Sequence, residues 1–233
     1  MIVKYESRRS KTMMKPFLIY LFGIDGAGKT TQVVLIMKKL RKKGLKVRYV
    51  WLRWVAFLSV PFYLLCRLMG FTEWKTLTRN GQKFRYTVHY FHRSSAVGSL
   101  WCLLYSIDLV IFNLIKVRIP LLLGYTIISD RYILDAMVDM MYETSKDLLN
   151  SPIAKILLSQ LPPNSIMALI DVDETTAYAR KKDIPSPDFV AKRREIYLTI
   201  AKKYGIPTVD GTKPIRAVYD EIINTLLPHG IFD

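Results

Sequence analysis

Apolar positions along this chain follow two alternating rhythms. Short unbroken runs, Phe17–Phe22, Tyr125–Ser129 and Ile166–Asp171, have the length and content of strands buried on both faces. Lys46–Trp51 and Ile206–Asp210 read as two further strands. Between the strands the period becomes helical. Val33, Val34, Ile36, Met37 and Leu40 share a face over Thr31–Lys43, and Gly44 stops that helix. The same spacing predicts helices near 132–144, 150–160, 173–182, 187–203 and 214–227. Two or three apolar helices are predicted over 54–117, with a basic polar link around Thr76–Arg85. Strands alternating with helices specify an α/β fold, a parallel sheet of five strands covered on both faces. Ligands of such sheets bind at the carboxyl ends of the strands. The first, third and fourth strands end in Gly23, Asp130 and Asp171, so polar chemistry gathers at that edge. Residues 1–16 are basic and polar without a periodic face and are expected to be a loosely ordered, dispensable extension. Residues 17–233 read as one domain.

Two stretches, 54–71 and 96–117, are nearly apolar enough to enter a bilayer. The first contains Pro61 and Arg67, and the second contains Asp108 and Asn113 near its middle. A central Asp costs about 2.5–3.5 kcal/mol on insertion. Both are therefore expected to be core helices, without integral membrane insertion, and 54–71 to cover a subunit interface as well. Cys66 and Cys102 lie in apolar segments and form neither a metal spacing nor a disulfide framework, which suits the reducing cytoplasm. The formal net charge of +16 includes a dense group, Lys38 to Arg48, at the end of the first helix, where cations complement the dipole. The remaining excess suits polyphosphate ligands, and no specific nucleic-acid partner is expected.

Three stretches carry candidate chemistry. In "FGIDGAGKTT", Gly23, Gly28, Lys29 and Thr30 fit G-x-x-x-x-G-K-[ST], the phosphate-binding loop. Glycines let the backbone approach a ligand, and successive N–H groups of the loop Gly23, Ile24, Asp25, Gly26, Ala27, Gly28, Lys29, Thr30 and Thr31 form an anion nest at a helix N-terminus. Lys29 would reach the β- and γ-phosphates of ATP, and the Thr30 hydroxyl would sit on Mg²⁺. In "SDRY", Asp130 follows an apolar strand and can hold Mg²⁺ or its waters opposite Thr30, while Arg131 offers a bidentate donor to a phosphate. In "ARKKDIPSPDFVAKRR", Arg180, Lys181 and Lys182 close one helix before a Pro-bearing loop, a placement that fits a lid over about 180–190.

These features, in this order, resemble the thymidylate kinase family of P-loop nucleoside monophosphate kinases, in the manner of a divergent, archaeal-type member. The resemblance is strongest in "GIDGAGKTTQ", "LLLGYTIISDRY" and "LIDVDETTAYARKK" and weak over 52–95. It implies a five-stranded parallel sheet, ATP–Mg²⁺ as donor, a nucleoside monophosphate such as dTMP as acceptor, and a homodimer. It implies that Asp25 bonds the acceptor sugar, and that Asp130 and Arg131 lie near the metal and the acceptor phosphate. Arg53 matches another acceptor-phosphate arginine, and Tyr105 an aromatic that stacks on the base. Thr212, Lys213 and Pro214 match the loop near adenine. Gly26 stands where an arginine can occur, so the catalytic cations fall to Arg180, Lys181 and Lys182. Two departures concern the acceptor. Leu109 stands in place of a base-bonding arginine, and Asp135 and Asp139 replace the residues usual after the D-R pair. A site that reads a base by hydrogen bonds discriminates strongly, so this exchange is expected to relax or redirect specificity.

Overall fold

The computed structural model describes residues 15–53, 57–79, 81–163 and 165–226. Most of the expected extension 1–16, and residues 54–56 of the apolar stretch 54–71, lie outside the described residues. The central sheet contains β1 (Leu18–Phe22), β2 (Val47–Val50), β5 (Thr126–Ser129), β6 (Ser165–Asp171) and β7 (Thr208–Asp210), in the order β2-β5-β1-β6-β7 with every pairing parallel. All five residues of β1 are buried, as a central parallel strand between two helical layers requires. The strand order reverses around β1, and that places the crevice beyond its carboxyl end.

Helices α1 (Lys29–Lys42), α5 (Ile133–Thr144), α6 (Pro152–Ser159), α7 (Glu174–Arg180), α8 (Pro187–Tyr204) and α9 (Ile215–Leu226) fall within a few residues of the predicted spans. Their ends follow local chemistry. Ser151 and Ser186 cap α6 and α8 by accepting from Ala154 N–H and Phe189 N–H, and Gly205 closes α8 at φ +62°.

The stretch 54–117 differs from the expectation of two or three helices. Thr72–Arg79 (β3) and Gln82–His89 (β4) form an antiparallel hairpin in full register. Strand β4 alternates large apolar or aromatic residues, Phe84, Tyr86 and Val88, on one face, where Leu77 pairs with Phe84, while Trp74 lies on the other face opposite Thr87. Helix α2 (Ser59–Leu68) buries only Ser59 and Cys66, so it is not the core helix expected of this stretch. Helix α3 (Ser95–Asn113) is a core helix on one side alone: Trp101, Cys102, Tyr105, Asp108 and Leu109 are buried, while Leu103, Ile107 and Ile111 are exposed. The helical run continues through a π turn, Leu114–Arg118, into α4 (Ile119–Leu122), with Pro120 in its first turn. By length and composition Ser95–Leu122 is long enough to cross a membrane, yet its polar residues have protein partners. Asp108 accepts from the N–H groups of Phe57, Leu58 and Ser59, each at 2.9 Å, and from the Ser59 hydroxyl at 2.6 Å. Burial pushes its carboxyl upward, but these donors hold it below the usual carboxylate value. The Asp that argues against bilayer insertion is the N-terminal anchor of α2.

Candidate functional site

The loop between β1 and α1 is shaped by its glycines. A Cβ at Gly23 (φ +138°) would collide with the Ile170 carbonyl of β6. One at Gly26 (φ +86°) would lie 2.6 Å from the Ala177 carbonyl of α7. With α7 packed this close, any side chain at position 26, an arginine included, would clash with it. The same packing brings Arg180, the last residue of α7, across the loop: Nη1 donates to Gly211 O at 3.0 Å.

Lys29 is buried, and its Nζ donates to Ile24 O at 2.6 Å. Burial lowers its ammonium to about 7, although Asp25 and Asp130 pull it up. A desolvated cation of this kind calls for an anionic ligand. The Thr30 hydroxyl donates to Asp130 Oδ2 across the mouth of the loop, which pairs two hard oxygens. Burial pushes the Asp130 carboxyl up, against Lys29 and the Thr30 hydroxyl. Among the described residues no group of three or more His, Cys, Asp or Glu is placed to hold a metal. Two hard oxygens could serve an ion such as Mg²⁺, which takes further ligands from phosphates and water. Glycine cradle, buried lysine and oxygen pair together fit a nucleoside triphosphate with its metal.

Asp25 is the hub of the other half. Its carboxylate accepts from Arg131 Nη2 at 2.6 Å, from Arg53 Nη1 at 3.3 Å and from Lys181 Nζ at 3.3 Å. Burial pushes that carboxyl up, but Arg131, Arg53, Lys29 and Lys181 hold it well below its usual value. Three cations on one carboxylate leave local positive charge beside the loop. Arg131 is also strained. Its φ of +143° is rare for a residue with a side chain, and two bonds to its carbonyl, from Leu52 N–H at 2.9 Å and Ser129 Oγ at 2.8 Å, hold it there. The guanidinium is turned inward: Nη1 donates to Gly23 O, to Asp135 Oδ1, both at 2.7 Å, and to Tyr197 OH at 2.9 Å.

Beyond Asp25 a cavity of about 740 Å³ opens between β4, α5 and the start of α8. Arg53 bridges the two regions, because its other edge donates to Asp139 at 3.0 and 3.2 Å. Asp139 also accepts from Arg193 of α8. Burial pushes the Asp139 carboxyl up, and Arg193 and Arg53 outweigh it and hold it low. Glu143 and His89 share the same wall, with Trp101 Nε1 donating to Glu143 at 2.9 Å. Burial pushes the Glu143 carboxyl up to about 8 and lowers the His89 imidazole to about 4. At 3.8 Å they could form an ion pair, but desolvation keeps both neutral near pH 7.

The structure brings Gly23 to Thr31, Asp130, Arg131, Arg180, Lys181 and Arg53 to one edge of the sheet. Lys182 is exposed in the segment that follows α7. Thr212, Lys213 and Pro214 lie on the neighbouring loop, which Arg180 and Gln32 tie to the site. Three expected acceptor residues are placed elsewhere. Tyr105 (3% exposed) stacks on Trp101, Leu109 is 1% exposed, and neither lines the cavity. Asp135 is fully buried, accepting from Tyr20 OH and Tyr197 OH at 2.6 Å behind Arg131. It is a scaffold for that arginine, out of reach of an acceptor. Arg193 went unread in the sequence because a helical arginine in "AKRR" looks like a solvated face. Asp139 offered a signal, since a carboxylate on a buried helix face needs a cationic partner.

The chain is similar to a probable thymidylate kinase of Staphylothermus marinus, 24% identical over 223 residues, which span 93% of this chain and 97% of the relative. No family model matches it.

Proposed function

We propose that this protein is a cytoplasmic, ATP- and Mg²⁺-dependent nucleoside monophosphate kinase, a single domain over 17–233 that phosphorylates dTMP to dTDP. The observation that carries the reading is the joining of two anion sites across Asp25. The glycine loop, with Lys29 and the Thr30–Asp130 pair, lies on one side, and Arg53, Arg131 and Lys181 lie on the other. The similarity to a probable thymidylate kinase over nearly the whole chain supports it.

Thr30 and Asp130 would hold the metal, which when bound neutralises charge on the β- and γ-phosphates. Lys29 adds a positive charge at the transferring group. Arg53, Arg131 and Lys181 orient the acceptor phosphate, and Arg180 reaches over the loop from the lid. A phosphate oxygen is already anionic, so no general base is needed; catalysis is positioning and charge neutralisation. The exposed apolar face of α3 is the proposed homodimer contact.

A coupled ADP-release screen across nucleoside monophosphates tests the reading. Turnover with dTMP supports it. ATP binding without turnover on any monophosphate sinks it. Leu109, and a cavity remote from Tyr105, favour one second reading: the same machinery acting on another monophosphate, which the same screen reveals.

A further inference from the structure

The cavity holds a recognition group that the resemblance did not supply. Four charged side chains form a line leading away from the phosphate loop: Asp25, Arg53, Asp139, Arg193. Arg131 and Lys181 join it at Asp25, so the phosphate-binding cations cluster at one end. Arg193 stands at the other end, one ion pair further from the loop, in the cavity wall.

Arg193 is built as a fixed donor. Its side chain is 6% exposed, and its hydrogen bond within the described residues runs from Nη2 to Asp139 Oδ1. Nε and Nη1 make no bond among those residues. The guanidinium carbon lies 5.4 Å from the ring centre of Tyr142 and 5.3 Å from that of Phe189. Both rings line the cavity and stand edge to face at 5.2 Å. A planar donor held by a carboxylate between aromatic rings suits a flat, polar, aromatic ligand better than a phosphate. Arg53 completes the fixation by gripping the other side of Asp139.

Resting on the kinase reading above, we propose that the cavity takes the base of the acceptor nucleotide and that Arg193 of α8 reads it by donating to a ring carbonyl. The substrate class follows. Thymine, uracil and guanine present an oxo group where cytosine and adenine present an amino group. An amino group facing the guanidinium sets donor against donor in a desolvated wall, so that acceptor is rejected. Helix α3, with Leu109 and a shielded Tyr105, is thereby relieved of base reading.

The test measures kcat/KM for dTMP, dUMP, dGMP, dCMP and dAMP, and binding of each by titration calorimetry without ATP. It compares the native protein with Arg193→Met and with Arg193→Lys. The lysine variant keeps a cation against Asp139, and Tm confirms that each variant folds. In the native protein, oxo bases are expected to bind and react at least about tenfold better than amino bases. Both variants should narrow that ratio to within about threefold, chiefly through KM and binding. A ratio that stays the same in both variants overturns the assignment, because Arg193 is then only a strut for Asp139. A native preference for dCMP or dAMP overturns it as well. Both results leave the kinase reading standing. Turnover of no monophosphate, with none bound, removes the kinase reading and this inference together.

Discussion

At the residue scale, buried charge decides what each substitution does. If Lys29 serves the transferring phosphate as proposed, Lys29→Ala is expected to lower kcat/KM by about 10²–10³. The fold should hold with Tm equal to or above native, because a desolvated ammonium leaves with the side chain. Coupled ADP release and a thermal melt check both parts. Glu143 carries a different signature. Its carboxyl lies near 8 in the folded protein and near its ordinary value of 4.5 in the unfolded chain. Between those values the folded state keeps a proton that the unfolded state has lost, so this group's contribution falls as pH rises from about 4.5 to 8. Gln cannot ionise and still accepts from Trp101. The Tm of Glu143→Gln relative to native should therefore climb steadily from pH 5 to pH 8.5. A difference that does not change with pH would show that Glu143 ionises freely. His89 works in the opposite window: held neutral down to about 4, it withdraws stability as pH falls below its ordinary 6.5.

At the element scale, the β3–β4 hairpin reaches the end of α7 and the residues after it. Arg79 of β3 donates to Tyr178 O at 2.9 Å and to Lys181 O at 3.2 Å, and its guanidinium lies 3.9 Å from the Tyr178 ring centre. One side chain thus ties the hairpin to the segment carrying Arg180 and Lys181. Arg79→Ala should destabilise the protein by about 1.5–3 kcal/mol, the range for hydrogen bonds that involve a charged group. It should also raise amide exchange over 178–186 while the sheet stays protected. Exchange that remains native-like across 178–186 would show that this segment is held from elsewhere. The hairpin escaped the helical reading of this stretch although the sequence carries its signal. In the sequence Asn-Gly at 80–81 is the signal of a two-residue hairpin turn, Arg79 pairs with Gln82, and Gly81 adopts φ +76°. Its basic residues, Lys75, Arg79, Lys83 and Arg85, made the segment look like a linker.

At the scale of the whole molecule, one surface stands out. Leu100, Leu103, Ile107, Ile111 and Leu114 form a helical stripe that a single copy leaves 37–55% exposed. If α3 pairs with its counterpart, Ile107→Asp and Ile111→Asp should shift sedimentation from two chain masses to one. The cavity, on the far side of the α3 core contacts, should keep its binding. Detergent-free expression followed by high-speed centrifugation should leave the protein in the supernatant. Retention in the pellet after a high-salt wash would show that Ser95–Leu122 enters the bilayer.

The sequence alone determined the parallel α/β sheet, the glycine loop with Lys29 and Thr30, and Asp130 and Arg131 at the end of a strand. Each of these is local: a run of buried strand residues, or a motif whose groups sit within a few residues of one another. The tertiary structure decided everything that depends on partners far apart in the chain. It turned Asp108 into the anchor of α2, placed Asp135 behind Arg131, and brought Arg53 of the loop after β2, Asp139 of α5 and Arg193 of α8 into one line. A charged residue reads as solvated from its neighbours in sequence. Whether it is buried, and against which opposite charge, is fixed by packing: desolvation costs so much that each buried ion must find its counter-ion wherever the fold provides one.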